Sequence, residues 1–201
     1  MKTYKLKVAG IERDLPIIEI SKDLSIASFV LLGDAEMTTL AAEALDKKIP
    51  QVDIFVTAEA KGIPLVHELS RIRGITKYIV CRKSIKTYMN DPVEVSVNSI
   101  TTQEEQKLYL NSEDVDLIKN KRVCLLDDVI STGESIQALE DLVAKVGGQI
   151  LAKAAILAEG DAGDIKDIIF LERLPLNPEK WKIILIKKYN FYNFKYVVLL
   201  F

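Results

Sequence analysis

Residues 122–135 read Arg-Val-Cys-Leu-Leu-Asp-Asp-Val-Ile-Ser-Thr-Gly-Glu-Ser, and the fold turns on how they are interpreted. Val123 to Leu126 is an unbroken apolar run. Two adjacent carboxylates come next, Asp127 and Asp128, then Val129 and Ile130, then a small hydroxyl-rich turn from Ser131 to Ser135. Beyond it Ile136, Leu139, Leu142, Val143 and Val146 recur at helical spacing. An apolar run bounded by charge is the pattern of a strand buried in a parallel sheet. The stretch therefore predicts a strand, a loop and a helix N-terminus.

Such a junction attracts anions. The first N–H groups of a helix lack intrahelical partners, and the helix dipole is positive there. Gly133 allows a close approach or a positive φ, and Ser131, Thr132 and Ser135 add hydroxyl donors. A phosphate fits such a loop. An ordinary βα turn with a Ser or Thr cap would look similar, but the Asp pair sets this one apart. Two carboxylates repel a phosphate unless something lies between them and it. A sugar does so, with its hydroxyls donating to Asp127 and Asp128 and its phosphate in the loop. Open α/β sheets bind ligands at the carboxyl ends of strands, which is where these residues lie.

The stretch resembles the phosphoribosyl pyrophosphate (PRPP) motif of type I phosphoribosyltransferases: apolar strand, two acidic residues, two apolar residues, then a small-Thr-Gly-x-Ser/Thr loop. The resemblance implies that Asp127, Asp128, Ser131, Thr132, Gly133, Glu134 and Ser135 bind PRPP. The acidic pair would meet the ribose hydroxyls as the catalytic residues, and the loop would hold the 5-phosphate. It also implies Mg²⁺ as cofactor, bound mainly through PRPP with no direct protein ligand.

Two more segments fit this family. Val52 to Thr57 predicts a second buried strand, running into Glu59-Ala60-Lys61-Gly62 and a helix through Leu69. In the family such a loop touches pyrophosphate. Lys77 to Cys81 predicts a third strand, ending in Arg82-Lys83-Ser84-Ile85-Lys86. The adenine enzymes carry Arg-Lys-x-x-Lys here. The resemblance thus makes Glu59, Ala60, Lys61, Gly62, Arg82, Lys83 and Lys86 pyrophosphate-binding.

Residues 3–20 alternate, with Tyr4, Leu6 and Val8 on one side and Ile11, Leu15, Ile17 and Ile20 beyond Ala9-Gly10, which predicts a β-hairpin or short paired strands. In the purine branch this piece joins a hood over the base. Phe29 and Leu31 are the base-binding candidates, Phe29 either stacking on a base or packing the core. Asp34 is a fair N-cap for a helix carrying Met37, Leu40, Ala41, Ala44 and Leu45 on one stripe. Tyr88 to Leu110 predicts two extended arms around a polar tip, Ser99 to Gln103, resembling the family's catalytic loop. Thr101 stands where the adenine enzymes often have a Glu, with Glu104 and Glu105 just beyond. After Gly147-Gly148, a helix end, Gln149 to Ala158 and Ile168 to Leu171 predict two more strands. His67, the sole histidine, falls inside a predicted helix and is read as structural.

The expected fold is α/β: a parallel-sheet type I phosphoribosyltransferase core with helices on both faces and a small N-terminal hood. Residues 1–33 form the hood, 34–176 the core, and 177–201 a C-terminal tail of unclear role. The tail is set apart because 181–201 holds seven of the fourteen aromatics and no acidic residue.

The chain has 201 residues, enough for one such domain and a small appendage, and a net charge of −2, so no global basic field exists to hold nucleic acid. No run of eighteen apolar residues predicts a membrane span. The N-terminus lacks an apolar signal core. Cys81 and Cys124 fall in strand-like runs without metal-ligand spacing and read as buried free thiols of a cytoplasmic protein.

The function expected is a purine phosphoribosyltransferase of purine salvage, a homodimer by resemblance, giving a nucleoside monophosphate and pyrophosphate. Adenine is favoured by the Arg82-Lys83-x-x-Lys86 pattern. The absent loop Glu and the Ser-Ile-Thr-Thr-Gln run instead favour xanthine or another 6-oxopurine. A non-catalytic PRPP-sensing transcription regulator is the other class, and an orotate-type enzyme the nearer enzymatic alternative.

Overall fold

The computed structural model describes residues 2–97 and 106–179. Five parallel strands form the central sheet in the order β10 (Ile168–Leu174), β9 (Gln149–Glu159), β8 (Arg122–Ile130), β4 (Ile54–Ala58), β5 (Ile79–Cys81). β8 lies in the middle, as its fully apolar first half requires: Val123 to Leu126 are all buried. Helix α1 (Ala35–Asp46) and α2 (Ile63–Arg73) pack on one face, α4 (Glu134–Lys145) on the other. The apolar stripe from Ile136 to Val146 is buried against the sheet. The α/β class and the helices on both faces are as expected.

The chain runs from β4 outward to β5, then returns to β8 and builds β9 and β10 on the other side. The winding direction therefore reverses between β4 and β8. At such a switch point the loops leaving the two strands diverge and open a crevice at the carboxyl ends of the strands.

The hood is an antiparallel sheet of β1 (Thr3–Val8), β2 (Ile11–Glu19) and β3 (Ser25–Ala27). The hairpin is as predicted, with Leu6, Val8 and Leu15 buried. The short β3 is not among the predicted elements, since three residues carry no periodicity. An ion pair between distant segments fixes the hood to the core. Arg13 of β2 grips Asp34 with Nε to Oδ2 at 2.8 Å and Nη2 to Oδ1 at 3.0 Å, and reaches Glu36 at 2.7 Å. Asp34 also caps α1 by accepting from the Met37 N–H, and its guanidinium partner holds its carboxyl below the usual range.

The arms expected between Tyr88 and Leu110 are β6 (Val93–Val97) and β7 (Gln106–Leu110), paired antiparallel. The tip, with Thr101, Glu104 and Glu105, lies outside the described residues. So does the tail beyond Glu179. A short helix, α3 (Ser112–Ile118), comes after β7 and is also absent from the sequence expectation. β10 extends three residues past its predicted end at Leu171, and α2 four past Leu69. Among the described residues no helix is long and apolar enough to cross a membrane. Cys81 and Cys124 are buried free thiols, each pushed up to about 12 by burial.

Candidate active site

The crevice at the switch point is a cleft of about 300 Å³. Its floor is Asp127, Asp128 and Val129 of β8. Lys61 comes from the loop after β4, Lys83 from the segment after β5, Ser131 and Ser135 from the loop after β8, and Phe29 from the hood side. A smaller pocket of about 100 Å³ opens beside it between Asp127 and the Ser131–Ser135 loop.

That smaller pocket has the features of an anion cradle. Gly133 adopts φ +85°, the left-handed conformation the turn needs and glycine accepts without strain. No side chain caps α4; the nearest substitute is a long contact, with Thr132 Oγ1 accepting from the Glu134 N–H at 3.5 Å. α1, by contrast, has Asp34 in place. The uncapped first turn of α4 leaves donors facing the pocket.

The acidic pair is desolvated. Asp128 is buried, and its Oδ2 has no hydrogen-bond partner. Asp127 Oδ1 accepts from the Asp128 N–H at 2.8 Å. Burial first, and the neighbouring carboxylate second, push Asp127 up from 3.8 to about 7. Asp128 is raised as well, chiefly by burial, while Lys61 pulls both down. A buried carboxylate oxygen without a donor is costly, and a hydroxyl or cation reaching Asp128 Oδ2 would relieve that cost.

The four cations differ in state. Glu59 ties down two of them: its carboxylate pairs with Arg82 at 3.2 Å and Lys86 at 3.7 Å. It also accepts from the Lys83 N–H at 2.7 Å. Lys61 and Lys83 line the cleft, and neither ammonium has an ion-pair partner among the described residues. Glu59 therefore shapes the cationic segment, a role its neighbours in sequence do not reveal. The β-bridge between Arg82 and Tyr109 joins that segment to the arm.

Gly62 has an ordinary φ of −73°, so its value is space. A β-carbon there would strike the Thr57 hydroxyl and press on the Asp127 backbone. Gly62→Ala is expected to destabilise the protein by about 1–3 kcal/mol, a fall of several degrees in melting temperature. An unchanged thermal transition would show that the α2 start can move freely away from β8.

Phe29 is buried and lines the cleft. Leu31 is not in the cleft. It is 0% exposed in the core, while its neighbours Val30 and Leu32 are 54% and 47% exposed. The segment alternates, so Leu31 shares the inward side with Phe29 but packs wholly into the core, while Phe29 reaches the cleft. His67 sits edge-on to Tyr78 at 5.9 Å, away from the cleft. Glu159, Ser28 and Ile26 line the cleft without having been candidates by sequence. For Glu159 a signal exists: it is the charged residue ending an apolar strand at the sheet's carboxyl edge, the rule that singles out Asp127.

The family model for the phosphoribosyl transferase domain matches residues 32–184. The chain belongs to the phosphoribosyltransferase family. It is 32% identical over 158 residues to a hypoxanthine/guanine phosphoribosyltransferase of Methanosphaerula palustris, covering 79% of this chain and 80% of that one. It is 34% identical over 163 residues to a protein of the same name from Methanocaldococcus jannaschii, covering 81% and 77%. In fold it is similar to the crystal structure of adenine phosphoribosyltransferase from Thermoanaerobacter pseudethanolicus, with a TM-score of 0.64 at 21% identity, covering 79% of this phosphoribosyltransferase and 95% of that chain.

Proposed function

We propose that this phosphoribosyltransferase joins a purine base to PRPP in purine salvage, releasing pyrophosphate. The observation that carries the reading is the pair of half-buried Asp127 and buried Asp128, with an unpartnered oxygen, set between an uncapped helix start and two lysines without ion-pair partners among the described residues. That is the charge pattern of a sugar carrying a phosphate at one end and a pyrophosphate at the other.

In this reading the base nitrogen forms a bond to the anomeric carbon as the carbon–oxygen bond to pyrophosphate breaks, and the base N–H proton leaves to solvent. Asp127 and Asp128 accept from the ribose hydroxyls and stabilise positive charge building on the sugar. Ser131 to Ser135 hold the 5-phosphate. Lys61 and Lys83 meet the departing pyrophosphate, with Arg82 and Lys86 positioned behind them by Glu59. Among the described residues no group of three or more His, Cys, Asp or Glu is arranged to hold a metal directly. The orphaned Asp128 Oδ2 suits a hydrated Mg²⁺ carried by the substrate's oxygens, which would offset pyrophosphate charge. The buried thiols suit a reducing, cytoplasmic setting.

For the base, the names of the relatives at 32% and 34% identity support a 6-oxopurine, hypoxanthine or guanine. Adenine is the second reading, supported by the Arg82-Lys83-x-x-Lys86 pattern. Steady-state rates with adenine, hypoxanthine, guanine and xanthine at saturating PRPP test both. Turnover on hypoxanthine or guanine is expected; PRPP binding without turnover on any base would favour the regulator.

The two unpaired lysines should be the costly ones to lose. Lys61→Ala and Lys83→Ala are each expected to weaken PRPP by about tenfold or more, since hydrogen bonds to charged groups contribute about 1.5–3 kcal/mol. Direct titration with PRPP checks this, and unchanged affinity in both would remove them from the site.

A further inference from the structure

The cleft has an ordered charge layout across the sheet. Lys61 and Lys83 come after β4 and β5, on one side of β8. Asp127 and Asp128 stand on β8 itself. On the other side lies Glu159, the last residue of β9. Ala158 pairs with Ile130 of β8, so Glu159 stands one step past that pair, where β8 gives way to Ser131. Glu159 pairs in register with Leu174 of β10, another cleft residue, and Ser28 and Phe29 of the hood side line the same cleft.

Each cleft carboxylate but one has an evident task. Glu59 is engaged by Arg82, Lys86 and the Lys83 N–H. Asp127 and Asp128 stand together at the centre. Glu159 is half-buried, lines the cleft, and has no hydrogen-bond or ion-pair partner among the described residues. It stands on the side away from the cations, where a leaving pyrophosphate would not go. With sugar over β8 and pyrophosphate over β4 and β5, the β9 side is left for the base.

We infer that Glu159 is a specificity-determining residue that reads the donor edge of the base, and that the preferred base is guanine. This rests on the phosphoribosyltransferase reading above. A carboxylate only accepts, and it has two oxygens. Guanine presents two adjacent donors, the ring N1–H and the 2-amino group, and satisfies both. Hypoxanthine offers the ring N–H alone. Xanthine flanks its ring N–H with two carbonyls that repel the carboxylate. Adenine offers one amine beside a ring acceptor. A site with a polar group placed for a donor rejects bases that leave it unpaired.

The test is steady-state kinetics of the full chain with the four bases for wild type, Glu159→Gln and Glu159→Ala. Guanine is expected to have the highest kcat/KM in the wild type. Glu159→Gln, which turns one acceptor into a donor at constant shape, should lower kcat/KM for guanine tenfold or more and shrink its advantage over hypoxanthine. KM for PRPP should stay within twofold, which separates base reading from general damage. Glu159→Ala should also lose the guanine advantage. An unchanged base ranking in both active variants overturns the inference and leaves the transferase standing, as does a wild-type preference for adenine that survives Glu159→Ala. A wild type that consumes PRPP with none of the four bases would instead defeat the underlying reading, and the inference with it.

Discussion

Replacing Asp127 and Asp128 together by asparagine is expected to lower kcat/KM for PRPP at least tenfold, about 1.4 kcal/mol or more of lost transition-state stabilisation. The same change should make the free protein more stable. A carboxyl raised to about 7 in the folded chain binds more protons there than unfolded, where its pKa is near 3.8. Between these values unfolding releases protons, so stability falls as pH rises, and the full cost is present above pH 7. Asparagine cannot ionise. The melting temperature of the double variant should therefore gain on the wild type from pH 5 to pH 8, by several degrees if the cost is on the order of 1–3 kcal/mol. Lost activity with raised stability is the signature of groups held for a ligand. A folded variant with near-normal kinetics, or a melting difference independent of pH, would contradict the assignment.

Glu59→Ala is the second large effect. A carboxylate beside a pyrophosphate site looks harmful to binding, so on charge alone its removal should help. The structure leads to the opposite expectation. Glu59 accepts from the Lys83 N–H and pairs with Arg82 and Lys86. Without it the cationic segment loses its anchor, and Lys83 loses its fixed backbone. Removing one partner of such a network leaves the others uncompensated. A loss of about 10- to 100-fold in kcat/KM is expected, with the greater part recovered in Glu59→Gln, which keeps an acceptor for the Lys83 N–H. Steady-state kinetics of Glu59→Ala equal to wild type would show that Arg82 and Lys86 need no tether.

The sheet and the two loops after β4 and β8 are legible in the sequence because their signals are local. The short, charge-bounded run Val123 to Leu126 fits a buried strand, and the Ser131–Ser135 turn with its helical stripe marks the start of α4. The hairpin of β1 and β2 is legible for the same reason, through alternation. The features that escape sequence reading are non-local or short. Arg13 and Asp34 are 21 residues apart, and nothing in either segment requires the other. Glu59 reads as part of a phosphate loop until β5 brings Arg82 and Lys86 beside it. α3 spans seven residues, two turns with acidic residues in the first, too few to show a period against the strands around it. Leu31 shares the buried side of its segment with Phe29, and composition does not say where along that side the cleft ends and the core begins.

Phosphorus NMR of the protein with Mg²⁺, PRPP and guanine or hypoxanthine follows the phosphoribosyl transfer itself. The diphosphate signals of PRPP are expected to disappear as free pyrophosphate and a nucleoside 5′-phosphate grow in equal amounts, and omitting the base should stop this. PRPP signals that broaden on binding yet persist with every purine would contradict it.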